Sequence, residues 1–306
     1  MQFLAKLSVI TAAATSLLGV LAVPTHPTLA TRAPAQVITS CTKPNTVALT
    51  FDDGPYWYSY DISKMLVAAG AKGTFFVNGN NCESDASTMR PMSSMPLALP
   101  SVAAADSCYR RLKYLYGKGH QIASHTWSHA HLTTLSWDQI HDEMWRVEKA
   151  LMQIIGVQPA QMRPPYGEYN GESRPRGCWH PWPVDVSEVA DFSNHTTNCA
   201  IDIASVLWDF DSQDSNGASA DQSKQLYDNI IAQHPSNILT LNHETRVDTA
   251  FQVLPYAISK LQAAGYQLVT VAECLGVNPY QFTVPPGNRD VRLTHVRSSP
   301  STDVIF

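Results

Sequence analysis

Three residues in two short segments of the chain have the types and spacing of a metal site. His125 and His129 are four residues apart, and on a helical turn this spacing places both imidazoles on one face. Asp53 offers a carboxylate as a third ligand. Two imidazoles and one carboxylate with an open position are typical of a catalytic zinc ion that activates water. We therefore predict that Asp53, His125 and His129 bind Zn²⁺, or another divalent metal such as Co²⁺.

Asp52 stands directly before Asp53. Neighbouring side chains of an extended segment point apart, so the two carboxylates cannot easily face the same ion. If one of them binds the metal, the other is placed to take a proton from water. A simpler interpretation of Asp-Asp-Gly-Pro, taken alone, is a turn rich in hydrogen-bonding side chains.

The hydrophobic pattern predicts the elements that must position these residues. Short apolar runs predict seven strands: Val47–Phe51, Thr74–Val77, Gln121–Ser124, Gln161–Arg163, Ser205–Asp209, Ile238–Leu241 and Gln267–Val271. Apolar residues at spacings of three and four predict helices between them. The clearest helix follows Ser136, which forms a capping box with Gln139, and ends at Gly156. Unbroken alternation of strands and helices predicts an α/β fold whose parallel sheet closes into a barrel.

Ionisable residues lie just past the ends of five of the seven predicted strands. They are Asp52, Asp53, His125, His129, Arg163, Asp211 and His243. Active sites of β/α barrels are built at the carboxyl ends of the strands. The placement therefore predicts an active site at this edge. No glycine-rich phosphate loop follows a strand, so nothing supports a dinucleotide-binding fold.

Composition restricts the classes of function. The chain has 306 residues, of which 44% are hydrophobic and 15% charged, and this length fits one barrel with additional ends. A net charge of −5 excludes a nucleic-acid binder that works through bulk positive charge. We expect no nucleic-acid partner, no membrane partner and a monomer.

The first residues have the pattern of a signal peptide. Lys6 precedes an apolar stretch, and small residues follow near position 22, so we predict a signal peptide over residues 1–22. The alternative is a buried N-terminal helix. No later segment has the length of a membrane span. The expected location is therefore secreted, extracellular or in the cell wall.

Six cysteines fit an oxidising compartment. Cys41 lies just before the first strand and Cys274 just after the last, so we expect a disulfide that joins the chain ends. The other four fall in two stretches without clear periodicity, about 82–109 and 171–199. These stretches are either insertions that determine substrate specificity or retained introns. The second hypothesis arises because the Glu-Ser pair near the start of each can be encoded by a splice-donor sequence.

Five segments, taken together, resemble the motifs of the polysaccharide deacetylases, carbohydrate esterase family four. They are Thr50–Pro55, Ser124–His129, Arg163–Tyr166, Asp211–Asp214 and Leu241–Glu244. The match runs from about Val37 to Gly276, and Asn78–Asn81 is similar to the chitin deacetylase branch. The resemblance implies a distorted (β/α)₇ barrel as a single catalytic domain over 37–280. Residues 281–306 would then form a C-terminal tail.

The resemblance also implies a role for each residue of the site. Asp53, His125 and His129 would be the metal ligands. Asp52 would be the general base, and Arg163 would orient it and favour its ionised form. His243 would be the general acid, with Asp211 as the carboxylate that holds its imidazolium.

Three further residues would contact the substrate. The backbone N–H of Tyr166 would contribute to the oxyanion site, and Leu241 would line the pocket for the acetyl methyl group. Many relatives have tryptophan directly after the fourth motif, whereas this chain has Ser215. Trp208 is our candidate for the same pocket wall. Five aromatic residues near the first two motifs either stack on sugar rings or pack in the core: Tyr56, Trp57, Tyr58, Tyr60 and Trp127.

The implied activity is removal of N-acetyl groups from N-acetylglucosamine units of chitin or chitin oligomers. Peptidoglycan and acetyl-xylan are alternative substrates. A non-catalytic carbohydrate-binding protein on the same fold is an alternative of another class, although the intact acid, base and ligand set argues against it. A glycosidase with paired carboxylates would leave the histidine spacing unexplained.

Overall fold

The computed structural model describes residues 36–81, 100–169 and 203–287. The predicted signal peptide, the stretch 171–199 and the first part of the stretch 82–109 lie outside these ranges. So does the predicted C-terminal tail beyond residue 287.

Twelve strands and six α-helices form in the described ranges. The strands are β1 (Val37–Ile38), β2 (Thr46–Ala48), β3 (Thr50–Gly54), β4 (Thr74–Val77), β5 (Gln121–Ser124), β6 (Val157–Pro159), β7 (Gln161–Met162), β8 (Ala204–Val206), β9 (Phe210–Asp211), β10 (Asn237–His243), β11 (Gln267–Val269) and β12 (Tyr280–Thr283). The helices are α1 (Ser59–Ala68), α2 (Pro100–Gly117), α3 (Trp137–Ile155), α4 (Ala220–Gln233), α5 (Leu254–Ala263) and α6 (Val271–Leu275).

The central sheet is parallel throughout its pairings. Its strand order is β1-β8-β7-β5-β4-β3-β10-β2-β11, and β9 pairs with β10. The predicted α/β fold with helices between parallel strands is therefore confirmed. The first predicted strand is interrupted at Leu49, which separates β2 from β3, and β10 pairs with both of them. All carboxyl ends of these strands point to one edge, where the site residues follow.

Helix α3 forms as its sequence pattern predicts. The Ser136 hydroxyl accepts a hydrogen bond from the Gln139 N–H, and the Gln139 side chain accepts one from the Ser136 N–H. Gly156 ends the helix at φ 71°, where a side chain is disfavoured. The face that carries Ile140 to Leu151 at helical spacing is buried. Trp137, the first residue of the same pattern, is instead 50% exposed. Its indole stacks on the His141 ring one turn later and does not enter the core.

The core consists mainly of strands that are buried on both faces. β4 and β5 are buried at every position, and only one residue of β3, Asp53, is partly exposed. Burial on both faces is typical of parallel strands covered by helices. Phe51 of β3 stacks on Phe75 of β4 with ring centroids 5.1 Å apart. This packing holds the two strands together directly below the carboxyl edge.

A disulfide joins the segment before β2 to the helix after β11. Cys41 and Cys274 are bonded with their Cα atoms 5.3 Å apart, which confirms the predicted pair. The N–H groups of Thr42 and Lys43 both donate to the Cys274 carbonyl oxygen. No helix in the three described ranges is long and apolar enough to cross a membrane.

Several boundaries differ from the expected ones. The predicted strand Ser205–Asp209 is replaced by β8 and β9 with residues 207–209 between them, and Val271, expected in the last strand, begins α6. Strand β12 pairs antiparallel with β6, and the Val284 N–H donates to the Gly156 carbonyl at 2.8 Å. The fold therefore continues past residue 280, where we expected the tail to begin, because the main chain at 280–284 pairs with the chain around β6. Helix α2 runs through the expected end of the first insertion at residue 109. Tyr109 packs against the main core, and the intron hypothesis stays a prediction for transcript sequencing.

We expect the Cys41–Cys274 disulfide to contribute measurably to stability. The bond closes a loop with a sequence separation of 233 residues, and a long loop loses much entropy in the unfolded chain when it is closed. Replacing both cysteines by serine should lower the free energy of unfolding by about 2–5 kcal/mol in denaturant titrations. Peptide mapping without reductant should recover the two cysteines in one linked fragment. Recovery of both as free thiols would contradict the assignment.

Candidate metal and catalytic site

The parallel register places the two proposed proton-transfer residues side by side. Strand β10 pairs with β3 so that His243 lies opposite Asp52. Leu241 lies two residues before His243 on β10, and residues two apart on a strand share one face. Leu241 is 5% exposed. One pair of strands, β3 and β10, thus positions the proposed general base, the proposed general acid and the proposed methyl-binding residue.

The three predicted metal ligands are brought together. Asp53 Oδ1 lies 3.6 Å from His125 Nε2 and 3.4 Å from His129 Nε2. One ligand atom from each residue lies within 4.8 Å of the others. His125 Nδ1 is 2.7 Å from the main-chain oxygen of Arg163, so it carries the proton and leaves the Nε2 lone pair facing Asp53. Burial lowers the pKa of His125 to about 3, which keeps the imidazole in the neutral form that binds metals.

The surroundings of Asp53 fit a cation. Its Oδ1 atom is buried and accepts no hydrogen bond. It faces the lone pair of His125 Nε2, so two electron-rich atoms lie close together with no proton between them. A buried carboxylate oxygen without a partner is costly, and a divalent cation bound by both atoms would remove that cost. The donor set of one carboxylate and two imidazoles suits Zn²⁺ or Co²⁺.

Backbone conformation separates the two adjacent aspartates. Asp53 has a φ of 67°, in the left-handed region that residues other than glycine seldom adopt. This conformation directs the Asp53 side chain to the histidines, while Asp52, the residue before it in β3, is 2% exposed. The expected division between a ligand and a second carboxylate is therefore present, and it arises from the left-handed residue as well as from strand geometry.

Asp52 forms a buried ion pair with Arg163. The Arg163 Nη1 donates to Asp52 Oδ1 at 2.8 Å, and the guanidinium is fully buried. Burial raises the pKa of Asp52, and the positive charges of Arg163 and His243 act in the opposite direction. A raised pKa makes a carboxylate a stronger base, as proton abstraction from water requires.

The carboxylate that holds His243 is Asp214, and our expectation of Asp211 was wrong. His243 Nδ1 lies 2.7 Å from Asp214 Oδ1, and the His243 main-chain N–H donates to Asp214 Oδ2 at 2.8 Å. Burial alone would lower the pKa of His243, but the Asp214 hydrogen bond and the charge of Asp52 outweigh it and raise the pKa to about 9. His243 is therefore protonated at neutral pH, as a general acid must be.

Asp211 is turned into its own loop. It accepts hydrogen bonds from the Gln213 N–H at 2.7 Å and from the Gln213 side chain at 2.6 Å. Gln213 has a φ of 60°, which closes this turn and carries Asp214 round to His243. The motif Asp-Ser-Gln-Asp offers two carboxylates. An aspartate often accepts a hydrogen bond from the main chain two residues later, and this tendency of Asp211 would have pointed to Asp214 as the partner of His243.

Tyr166 and Trp208 lie at the rim of the metal ligands. Tyr166 has a φ of 59°, and its 55% exposed ring lies edge-on to His129 and stacks on His131 with centroids 3.9 Å apart. The Trp208 ring packs against Gly167, the residue after Tyr166. The two are so close that a Cβ on Gly167 would lie 2.8 Å from the ring. Trp208 is thus beside the Tyr166 turn, where a pocket wall was expected.

Of the five aromatic residues near the first two motifs, Trp57 alone is exposed, at 47%. Tyr60 packs edge-on against Tyr114, and Tyr58 against Phe251. The guanidinium of Arg146 lies 4.0 Å from the Trp127 ring centroid. Tyr56 lies edge-on to Tyr58 with ring centroids 5.4 Å apart, so packing accounts for the other four aromatic residues. The Trp57 ring lies 4.7 Å from the Arg111 guanidinium and stays a candidate for contact with a sugar ring.

Sequence reasoning missed a second buried carboxyl group. Glu244 is fully buried, its Oε2 lies 2.6 Å from the Ser59 hydroxyl, and burial raises its pKa to about 8. A Cβ at position 54 would lie 1.2 Å from Glu244 Oε1, so any other residue there would require the buried Glu244 side chain to move. Glu244 thus supports the turn after Asp53 from behind. The residues of Asn78–Asn81 were also not assigned a role.

Comparisons with known proteins agree with this geometry. A family model described as polysaccharide deacetylase matches residues 39–176. The chain is 33% identical over 240 residues to a chitin deacetylase of Pestalotiopsis sp, covering 78% of this chain and 67% of that protein. It is also 33% identical over 259 residues to a probable peptidoglycan-N-acetylglucosamine deacetylase of Arthroderma benhamiae, covering 82% of this chain and half of that protein. The solved chitin deacetylase of Colletotrichum lindemuthianum has the same fold, with a TM-score of 0.62, 23% identity and coverage of 83% and 97% of the two chains.

The contact between Asp214 and His243 predicts a shift in pH dependence. Asp214→Asn removes the negative charge that raises the pKa of His243, so the imidazolium should lose its proton at lower pH. The alkaline limb of the kcat/KM profile should then move to lower pH by about 1–2 units. Asp211→Asn is the matched comparison and should move this limb less. An equal or larger shift in Asp211→Asn would contradict the pairing described here.

The ligand geometry predicts loss of metal in two variants. His125→Ala and Asp53→Asn each remove one donor from a three-residue set, so metal content after dialysis should fall well below that of the wild type. Elemental analysis of the purified proteins measures this directly. His141→Ala, which changes a histidine outside the set, is the control. Full occupancy in His125→Ala would refute the ligand assignment.

Proposed function

The chain belongs to the polysaccharide deacetylase family, and on that premise we propose that it removes N-acetyl groups from N-acetylglucosamine units of chitin or chitin oligomers. We further propose that it acts as a secreted enzyme that requires a divalent metal. One observation carries the proposal: a charged base and acid, Asp52 and His243, lie on paired strands beside a complete set of three metal donors. Each has the partner that its role requires, Arg163 for the base and Asp214 for the acid.

The first step is attack of water on the acetamide carbonyl carbon. Asp52 accepts a proton from the water as the new carbon–oxygen bond forms, and the Arg163 ion pair holds the carboxylate in place. A cation bound by Asp53, His125 and His129 would supply Lewis acidity that polarises the carbonyl and favours deprotonation of water. The main-chain N–H of Tyr166 would donate to the carbonyl oxygen as negative charge develops there.

The second step breaks the carbon–nitrogen bond. An amine is a poor leaving group unless it is protonated, and His243 donates the proton to the nitrogen. Asp214 stabilises the imidazolium before transfer and fixes its orientation. The products are acetate and the free amine of glucosamine. Leu241 would face the methyl group, and Trp208, beside the Tyr166 turn, would form the adjacent pocket wall.

The relatives support N-acetylglucosamine polymers as the substrate class. Chitin and peptidoglycan both contain the acetamide on this sugar, and relatives named for each are 33% identical to this chain. We favour chitin, because the similarity to the Pestalotiopsis protein covers the larger share of that relative. Peptidoglycan is the second candidate. The Cys41–Cys274 disulfide supports secretion, since such bonds persist in oxidising compartments.

Acetate release from chitin oligomers tests the proposal. The wild type should release acetate, a chelator should stop the release, and added Zn²⁺ or Co²⁺ should restore it. Peptidoglycan fragments and acetyl-xylan, assayed in parallel, distinguish the substrates. Binding to chitin without acetate release under any metal condition would favour the non-catalytic alternative and contradict the proposal.

The assigned roles predict two inactive variants that retain metal. Asp52→Asn and His243→Ala should each lower kcat by about 10²–10⁴-fold, the usual contribution of one general base or acid. Metal content should stay at the wild-type level, since neither residue is a ligand. Asp221→Asn is a matched control, because that carboxylate is 94% exposed on helix α4. Near-normal turnover in either active-site variant would show that the mechanism is wrong.

A further inference from the structure

The metal ligands come from two loops that do not adjoin in the sheet. Asp53 is the second-last residue of β3, where the first ligand loop begins, whereas His125 and His129 lie in the loop after β5. Strand β4 lies between β3 and β5, so the chain that follows β4 must pass between the two ligand loops. That chain is the segment Asn78–Asn81, which we call the Asn bridge.

The Asn bridge is hydrogen-bonded to the first ligand loop through its main chain and a side chain. The Asn78 N–H donates to the Gly54 carbonyl at 2.8 Å. The Asn81 side-chain amide donates to the carbonyl oxygens of Asp53 and Gly54, at 2.6 and 2.9 Å. These bonds fix the main chain of the ligand Asp53 itself.

The same segment is hydrogen-bonded to the second ligand loop. The Asn78 side-chain amide donates to the His125 carbonyl at 2.6 Å and to the Thr126 carbonyl at 3.3 Å. The main-chain N–H groups of the next two residues, 79 and 80, donate to the Thr126 and Trp127 carbonyls at 3.3 and 3.0 Å. A Cβ on Gly79 would lie 2.0 Å from the Trp127 ring, so glycine is required for this approach.

Both ligand loops contain strained backbone at the points that the bridge contacts. Asp53 has a φ of 67° and Thr126 a φ of 70°. Such conformations are unfavourable for residues other than glycine, and they persist only where the surroundings hold them. Thr126 is β-branched, which makes the left-handed region less favourable still. Hydrogen bonds to the carbonyls of these two residues oppose their relaxation.

We propose that Asn78 and Asn81 are positioning residues for the metal centre, which set the separation between Asp53 and the two histidines. The inference rests on the metal-binding role in the proposed function. Neither asparagine is a ligand; each acts through the main chain of a ligand loop. Loss of either amide frees one loop to relax from its strained conformation, and the three donor atoms then no longer match the size of the ion.

Metal affinity of stripped and reloaded protein tests the inference without substrate. Asn81→Ala and Asn81→Asp both remove the donating amide, and Asn81→Asp keeps the size of the side chain. Each should weaken Zn²⁺ binding by about 10–100-fold, the usual effect of losing a group that orients a metal ligand. A chromophoric chelator in competition measures the dissociation constant. Asn229→Ala, on an exposed position of helix α4, is the control and should bind as the wild type does.

A second measurement separates positioning from general loss of structure. Urea unfolding in the presence of a chelator should give Asn81→Asp nearly the wild-type stability, while added Zn²⁺ should stabilise it less than the wild type. Asn78→Ala changes a buried residue, so its affinity is used only if its circular dichroism is native. Equal Zn²⁺ affinity in the wild type and both Asn81 variants would overturn the inference. A wild type that binds no divalent metal would overturn the metal centre itself and, with it, this role.

Discussion

The buried guanidinium of Arg163 is the constraint on which the active edge depends. It donates to Asp52, the proposed general base, and its other N–H groups donate to the Val206 and Leu207 carbonyls of the neighbouring segment. Its own main-chain oxygen holds Nδ1 of the ligand His125. A charge buried this completely is tolerated only when its donors are paired, and removal of one partner of such a pair costs about 3–5 kcal/mol. Arg163 therefore connects the proposed base Asp52, the proposed ligand His125 and the sheet.

Strain is concentrated at the same edge. Among the described residues, seven that are not glycine have a left-handed backbone, and five of these lie in the loops of the site: Asp53, Thr126, His129, Tyr166 and Gln213. The strands below are paired in parallel, with a register shift between β3 and β4 only after Phe51, and they enclose an apolar core. The stability of the barrel thus supports loops that would not hold these conformations alone. The candidate site thus lies in the loops at the carboxyl edge, and the strands and helices below hold those loops in place.

The sequence predicted those features that depend on local pattern. Strands β4 and β5 and the capping box of α3 follow from residue type and spacing, because burial and helix capping act over a few residues. The types of the three proposed ligands were also readable, but His125 and His129 lie in a loop with left-handed residues at 126 and 129 and not on the helical turn that their spacing suggested. The choice between Asp211 and Asp214 could not be predicted, since the left-handed turn at Gln213 decides which carboxylate reaches His243. The role of the Asn bridge was also hidden, because its acceptors are main-chain oxygens that only the tertiary fold brings near. The interruption of the first strand at Leu49 was hidden too. Both parts, β2 and β3, pair with β10, so the apolar run looks continuous in the sequence.

The disulfide between Cys41 and Cys274 also changes the topology of the polypeptide. Together with the chain from 42 to 273 it forms a covalent ring that includes every strand from β2 to β11. A single peptide bond cleaved anywhere in that ring opens it without releasing a fragment, so both ligand loops stay on one molecule. Two cuts, or one cut followed by reduction, are needed to separate them. In an oxidising environment a single cut in this ring therefore leaves the two ligand loops covalently linked, and reduction of the disulfide removes that link.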